Sequence, residues 1–198
     1  MSLDDNKQIN IMYTGWSFAG SLTSLRYILS KTKLETTLNT IDLYSKSYST
    51  QWFYKNKIYE INLKYGKFVH GRRFTSLEDG IRKGYIATEN IEYLKIVDGI
   101  IFVWDSQIEM QDQNVYFLWQ LSNFLKEIKR EINQLPIIFQ INKRDLPNIL
   151  SIETIKQEFF WPSHGYVESI ATQGKGIEEA LNKLVELVMF HQQKELVK

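Results

Sequence analysis

The segment Gln140-Ile141-Asn142-Lys143-Arg144-Asp145-Leu146-Pro147 sets an amide, an ammonium, a guanidinium and a carboxylate in consecutive positions at the end of an apolar run. A carboxylate accepts two hydrogen bonds from the ring N–H and the exocyclic amine of guanine. Adenine offers no such donor pair on that edge, so Asp145 in this role selects guanine. Lys143 would then lie along base and ribose, and Asn142 would tie the loop to its neighbour by hydrogen bonds. A polar turn at a strand end explains the same residues when they are taken alone. A second stretch, Glu168-Ser169-Ile170-Ala171-Thr172-Gln173-Gly174-Lys175-Gly176-Ile177, opens the last helix. The backbone N–H of Ala171 is suited to donate to guanine O6, a contact that tolerates a small side chain because the backbone supplies it. An ordinary Gly-rich helix start would look the same. Gly15 and Gly20 bracket a third loop between a strand and a helix. There the N–H groups from Trp16 to Leu22, with the helix N-terminus, can form an anion nest.

These loops need a frame, and the hydrophobic periodicity describes one. Strand-like and helix-like segments alternate along the chain, which predicts an α/β sandwich with a mostly parallel, roughly six-stranded sheet and helices on both faces. Gln8 to Tyr13 is a short β-branched strand leading into Gly15, and Thr23 to Ser30 carries Leu25, Ile28 and Leu29 at helical spacing. Between Lys57 and Tyr65, Tyr59, Ile61, Leu63 and Tyr65 alternate with polar residues, and Gly66 supplies a turn before Phe68, as in an antiparallel edge hairpin. Gly99 to Trp104 and Pro136 to Ile141 are continuous apolar runs, expected of central strands buried on both faces. Leu118, Leu121, Leu125, Ile128 and Ile132 define one amphipathic helix, and Ile177, Leu181, Leu184 and Val188 another.

Bulk properties exclude several classes. The 198 residues, 43% of them hydrophobic, suffice for one self-supporting core. A formal charge of +1, from 24 Lys+Arg against 23 Asp+Glu, leaves no global field for nucleic acid or an anionic membrane. With no cysteine there are neither disulfides nor thiolate metal sites, and the three histidines do not cluster. The longest apolar stretch falls far short of the roughly 20 residues that span a bilayer, so no transmembrane segment is expected. The acidic opening is unlike a signal peptide, which reads as a cytoplasmic protein. Residues 1–7 read as an N-terminal tail or an expression remnant, 8–192 as the folded domain and 193–198 as a C-terminal tail.

Taken together, these stretches resemble the MglA-type (gliding-motility) bacterial Ras-like small GTPases. That family's Asn-Lys-Arg-Asp-Leu-Pro and Ala-Thr-x-Gly-Lys-Gly patterns are matched at Asn142 to Pro147 and at Ala171 to Gly176, and Val97 to Ser106 is similar to its fourth strand. The resemblance covers most of residues 8 to 190, strongest from Val97 onward and weakest from Glu35 to Asn90. It implies a three-layer Ras-like P-loop NTPase domain, GTP or GDP as ligand, and a polarity or motility switch. It also implies a roadblock-fold (MglB-like) protein partner at the switch face. Trp16, Tyr44, Tyr48, Trp52, Phe53 and Tyr54 crowd this region, as contact residues or as core.

The phosphate loop departs from the family's Gly-x-x-x-x-Gly-Lys-Thr-Thr. Here Gly15 and Gly20 remain, but Ser21 stands where the phosphate-balancing lysine would be, and Leu22 where a hydroxyl would hold magnesium. Magnesium binding is therefore in doubt. Arg26, Arg72 or Lys175 is a candidate substitute cation, and Arg72 and Arg73 form a basic pair. On the metal side Glu78-Asp79-Gly80 is the nearest match to Asp-x-x-Gly, an acidic turn on the alternative view, and Ile81 rather than glutamine follows it. Two functions stay open: a guanine-nucleotide switch with impaired hydrolysis, and a nucleotide-independent pseudo-GTPase acting as an interaction module. The candidate nucleotide residues are Gly15, Gly20, Ser21, Asn142, Lys143, Asp145 and Ala171, with no catalytic residue assigned. Flavin loops and an acidic phospho-acceptor pocket, the marks of a flavodoxin-like or receiver-like module, are missing.

Overall fold

A computed structural model describes residues 8–32, 47–55, 57–66, 88–159 and 165–196. The strands are β1 (Ile9–Gly15), β2 (Ser47–Tyr54), β3 (Lys57–Tyr65), β4 (Gly99–Asp105), β5 (Ile137–Asn142) and β6 (Gly165–Glu168). The helices are α1 (Ser21–Ser30), α2 (Thr88–Ile96), α3 (Gln111–Glu127), α4 (Ile152–Phe159) and α5 (Ile177–Leu196), with short 3-10 turns at Ile108–Met110, Ile132–Gln134 and Ala171–Gln173. Together the strands make a six-stranded sheet ordered β2-β3-β1-β4-β5-β6, parallel except for the antiparallel β2–β3 pair at one edge. This is the expected Ras-like α/β architecture.

The two apolar runs form the centre. Every residue of β4 and β5 is buried, because helices cover both faces of a parallel sheet. Ile101 and Val103 of β4 turn toward a core shared with Leu25, Ile28 and Leu29 of α1 and with Leu181, Leu184 and Val188 of α5. Ile100, Phe102 and Trp104 turn the other way, toward Leu94 of α2, Phe117 and Leu121 of α3 and Ile155 of α4. Phe102 anchors that second layer, with Phe117 and Phe139 rings both 5.6 Å away.

Some elements differ from the sequence reading. The antiparallel partner of Lys57–Tyr65 is Ser47–Tyr54, which precedes it, and Phe68, past the Gly66 turn, lies outside the described residues. β3 is an inner strand: Lys64 is 4% exposed beneath the Tyr93 ring, so the polar side of the alternation is covered by α2. The helix expected to reach Ile132 ends at Glu127. Lys129 takes a left-handed φ of 60°, and Arg130 N–H turns back to Leu125 O at 2.8 Å, a C-terminal closure without glycine. Ile132 is buried all the same, from the following 3-10 turn. α5 runs to Leu196, into the stretch expected to be a tail. Tyr48 and Trp52 are core residues at 9% and 7% exposure, whereas Phe53 is 68% exposed.

Candidate functional site

Three loops meet at the C-terminal ends of β1, β5 and β6, the edge where open parallel sheets place their ligands. The first joins β1 to α1. A Cβ on Gly15 would fall 2.3 Å from Val103 O, so the loop can leave β1 so close to β4 only with glycine there. Phe18 holds a left-handed φ of 65°. At Gly20 the φ is 109°, and a Cβ there would lie 2.1 Å from Asn142 Nδ2 and 3.6 Å from the Ala171 Cβ. The loop therefore keeps a cradle in which backbone, not side chains, lines the start of α1. Ser24 Oγ donates to Gly20 O at 3.0 Å and accepts from Gln140 Nε2 at 2.7 Å, fixing the first turn of α1 to β5.

Asn142, the last residue of β5, joins all three loops. Its Nδ2 donates to Ala19 O at 2.7 Å, and its Oδ1 accepts from Ala171 N–H at 2.8 Å and Ser169 Oγ at 3.1 Å. The side chain is 2% exposed, so these bonds form away from competing water. Arg144 fastens the same loop to β6, with Nε 3.0 Å from Glu168 Oε2 and Nη1 2.7 Å from Leu150 O. Asp145, the next residue, is exposed.

Lys143 turns inward. It has a φ of 65°, and its Nζ lies 2.6 Å from Asp105 Oδ2 and 3.2 Å from Gln107 Oε1. The Asp105–Lys143 pair escapes sequence reasoning, although a charged residue closing the all-apolar run Gly99–Trp104 is a visible signal. The turn after β4 is also laced to the Asn142 loop: Ser106 N–H donates to Asn142 O, Ile108 N–H to Asn148 O and Leu150 N–H to Ser106 O, at 3.1, 3.0 and 2.9 Å.

No protein-family model matches the chain. The mutual gliding-motility protein MglA of Myxococcus xanthus (strain DK1622) is 31% identical to it over 188 residues, which is 93% of each chain. The chain belongs to the MglA family. It is thus a Ras-like protein of the gliding-motility GTPase type, as the loops and the sheet order indicate.

Within the MglA frame, the structure groups Gly20, Asn142 and Ala171 in direct contact, with Ser21 next to them at the start of α1. Ser21 is 2% exposed and Leu22 packs against the α1/α5 core. The position family members use for magnesium does not fit the ion, since the leucine offers no oxygen. Among the described residues no group of three or more His, Asp or Glu is arranged to hold a metal. Arg26 and Lys175 are both exposed. Arg72, Arg73, Glu78, Asp79, Gly80, Ile81 and Tyr44 lie outside the described residues. Among those described, no helix is long and apolar enough to cross a membrane.

Proposed function

We propose that this MglA-family chain is a guanine-nucleotide switch of the gliding-motility and polarity type that binds GDP and GTP but hydrolyses GTP far more slowly than an ordinary small GTPase. The Asn142 bridge carries the proposal. One buried amide holds the phosphate loop at Ala19 and the second base loop at Ala171. That is the frame a nucleotide needs if its base is read at one end and its phosphates enter a nest at the other.

In this proposal Asp145 accepts from the guanine N–H and amine, and the Lys143 stem flanks base and ribose. Ala171 N–H is shared between Asn142 Oδ1 and guanine O6, and the N–H groups from Trp16 to Leu22 take the phosphates. Slow hydrolysis follows from what the side chains lack. Ser21 has no charge, Leu22 no ligand atom for magnesium and Ile81 no group to orient a water, so charge growing on the γ-phosphoryl group meets only backbone dipoles. The cytoplasm is the expected location. The exposed Phe18, within the phosphate loop, supports a protein contact such as a roadblock-fold (MglB-like) partner at the switch face.

The test is calorimetric titration with GDP, GTP and ATP, with and without magnesium, alongside single-turnover hydrolysis. Each missing charge-assisted contact costs roughly ten- to a hundredfold in affinity. The expected result is therefore weak guanine-nucleotide binding that magnesium barely alters, no ATP binding, and loss of the guanine preference on Asp145→Ala. The double change Ser21→Lys with Leu22→Thr should strengthen magnesium-dependent GTP binding. Equal GTP and ATP affinity would defeat the base-reading role, and robust turnover would defeat the hydrolysis claim. A nucleotide-independent interaction module is the second reading, favoured by the protein partners that Lys143 and Ala171 N–H already have. Failure to bind any nucleotide would select it.

A further inference from the structure

Asp105 closes β4, and its side chain is wholly buried. A carboxylate in that position is strongly disfavoured unless it is paired and hydrogen-bonded. Here it is both: Oδ2 faces Lys143 Nζ at 2.6 Å and Oδ1 accepts Gln107 N–H at 3.0 Å. Its backbone is held as firmly. Asp105 N–H donates to Asn114 Oδ1 at 3.2 Å, and Asp105 O accepts from Asn114 Nδ2 at 2.8 Å and Gln111 Nε2 at 3.0 Å. Gln111 is itself fixed by the Trp104 indole N–H at 2.8 Å. The carboxylate is thus an immobile anchor set by α3. Lys143 is the opposite kind of group, a long side chain still 25% exposed, rooted in a left-handed backbone at the rim of the base loop.

We propose that Asp105 is a positioning residue for guanine-nucleotide binding, holding the Lys143 ammonium so that the lysine stem is already laid out along the place of base and ribose. The inference rests on the guanine reading above. It extends that reading to a residue on another strand, which touches no nucleotide and acts only through Lys143. Without the anchor, the lysine must be ordered by the ligand at the moment of binding, and affinity falls by roughly tenfold.

The experiment is a double-mutant cycle read by GDP calorimetry on the full chain: Asp105→Asn, Lys143→Gln and the two together, each checked by a thermal melt. Asp105→Asn is expected to weaken GDP binding about tenfold in the unaltered background and to have no further effect in the Lys143→Gln background. A merely structural role for Asp105 would not depend on Lys143. An equal loss in both backgrounds, or none in either, overturns the proposal. Should Asp105→Asn fail to fold, Gln107→Ala decides. It removes the second acceptor of Lys143 Nζ together with an exposed hydrogen bond to Glu109 that does not involve the lysine, and the expected loss is two- to threefold, present with Lys143 and absent without it. No GDP binding by the unaltered chain, seen before any variant is made, overturns the guanine reading itself and the positioning role with it.

Discussion

Among the described residues, Phe18 is the one whose backbone and side chain disagree most. It holds a left-handed φ of 65° while its ring is 91% exposed. A non-glycine residue in that region costs about 1–2 kcal/mol, and an exposed ring recovers none of it by burial. Replacing it with glycine removes the strain but adds unfolded-state entropy worth about 0.5–1 kcal/mol. Phe18→Gly is therefore expected to raise stability by about 0.5–1 kcal/mol in urea unfolding. A loss of stability would mean that the ring is packed in solution. Strain kept at a ligand loop points toward function, so the same variant should leave the fold better and contact with a protein partner worse.

Among the elements, the loop after β5 does the most, and Asn142 lets its role be tested by one atom. Asn142→Asp keeps the acceptor for Ala171 N–H and Ser169 Oγ but turns the donor facing Ala19 O into a second acceptor. Two oxygens then oppose each other at a 2% exposed site. The expected destabilisation is about 2–4 kcal/mol, measured by urea unfolding. A change below about 0.5 kcal/mol, the scatter of ordinary surface substitutions, would mean that the loops are held together by other contacts. The Asn142 bridge was legible in the sequence because the guanine-reading Asn-Lys-x-Asp pattern, placed directly after an apolar strand, gives its asparagine the task of tying loops. β4 and β5 were legible because strands buried on both faces read as nearly continuous apolar runs, Gln140 being the one polar residue inside them before Asp105 and Asn142 close the ends. β2 was not. Ser47–Tyr54 mixes serines and glutamine with aromatics, and its Tyr48 and Trp52 are buried because α1 and α5 cover one face of an edge strand. Nor was the Asp105–Lys143 pair, since it joins the end of β4 to the loop after β5, which only the sheet order makes neighbours. The left-handed turn at Lys129 ended α3 early with no glycine to announce it.

At the scale of the whole molecule, two tyrosines buried on opposite sides of the sheet make stability sensitive to alkali. Tyr13 is fully buried in the α1/α5 core, its hydroxyl without a hydrogen-bond partner among the described residues, and burial pushes its ionisation far above the ordinary tyrosine range. Tyr93, on α2, is pushed the same way by burial. The Asp98 charge adds to that shift. For both groups the neutral form is the one the fold accepts. Their contribution is thus complete below the unfolded-state value of about 10 and is lost as pH rises above it, because the unfolded chain releases the protons first. Each such group adds about 1.4 kcal/mol of destabilisation per pH unit above that point. Tyr13→Phe removes one of the two, so its stability should fall less steeply than that of the unaltered chain, by about 1.4 kcal/mol per unit, in urea unfolding between pH 10 and 11.5. At pH 7 the same change deletes a buried hydroxyl that has no acceptor to lose, and stability should be unchanged or higher by about 1 kcal/mol. Parallel pH curves for the two proteins would mean that the hydroxyl of Tyr13 reaches water or a partner in solution.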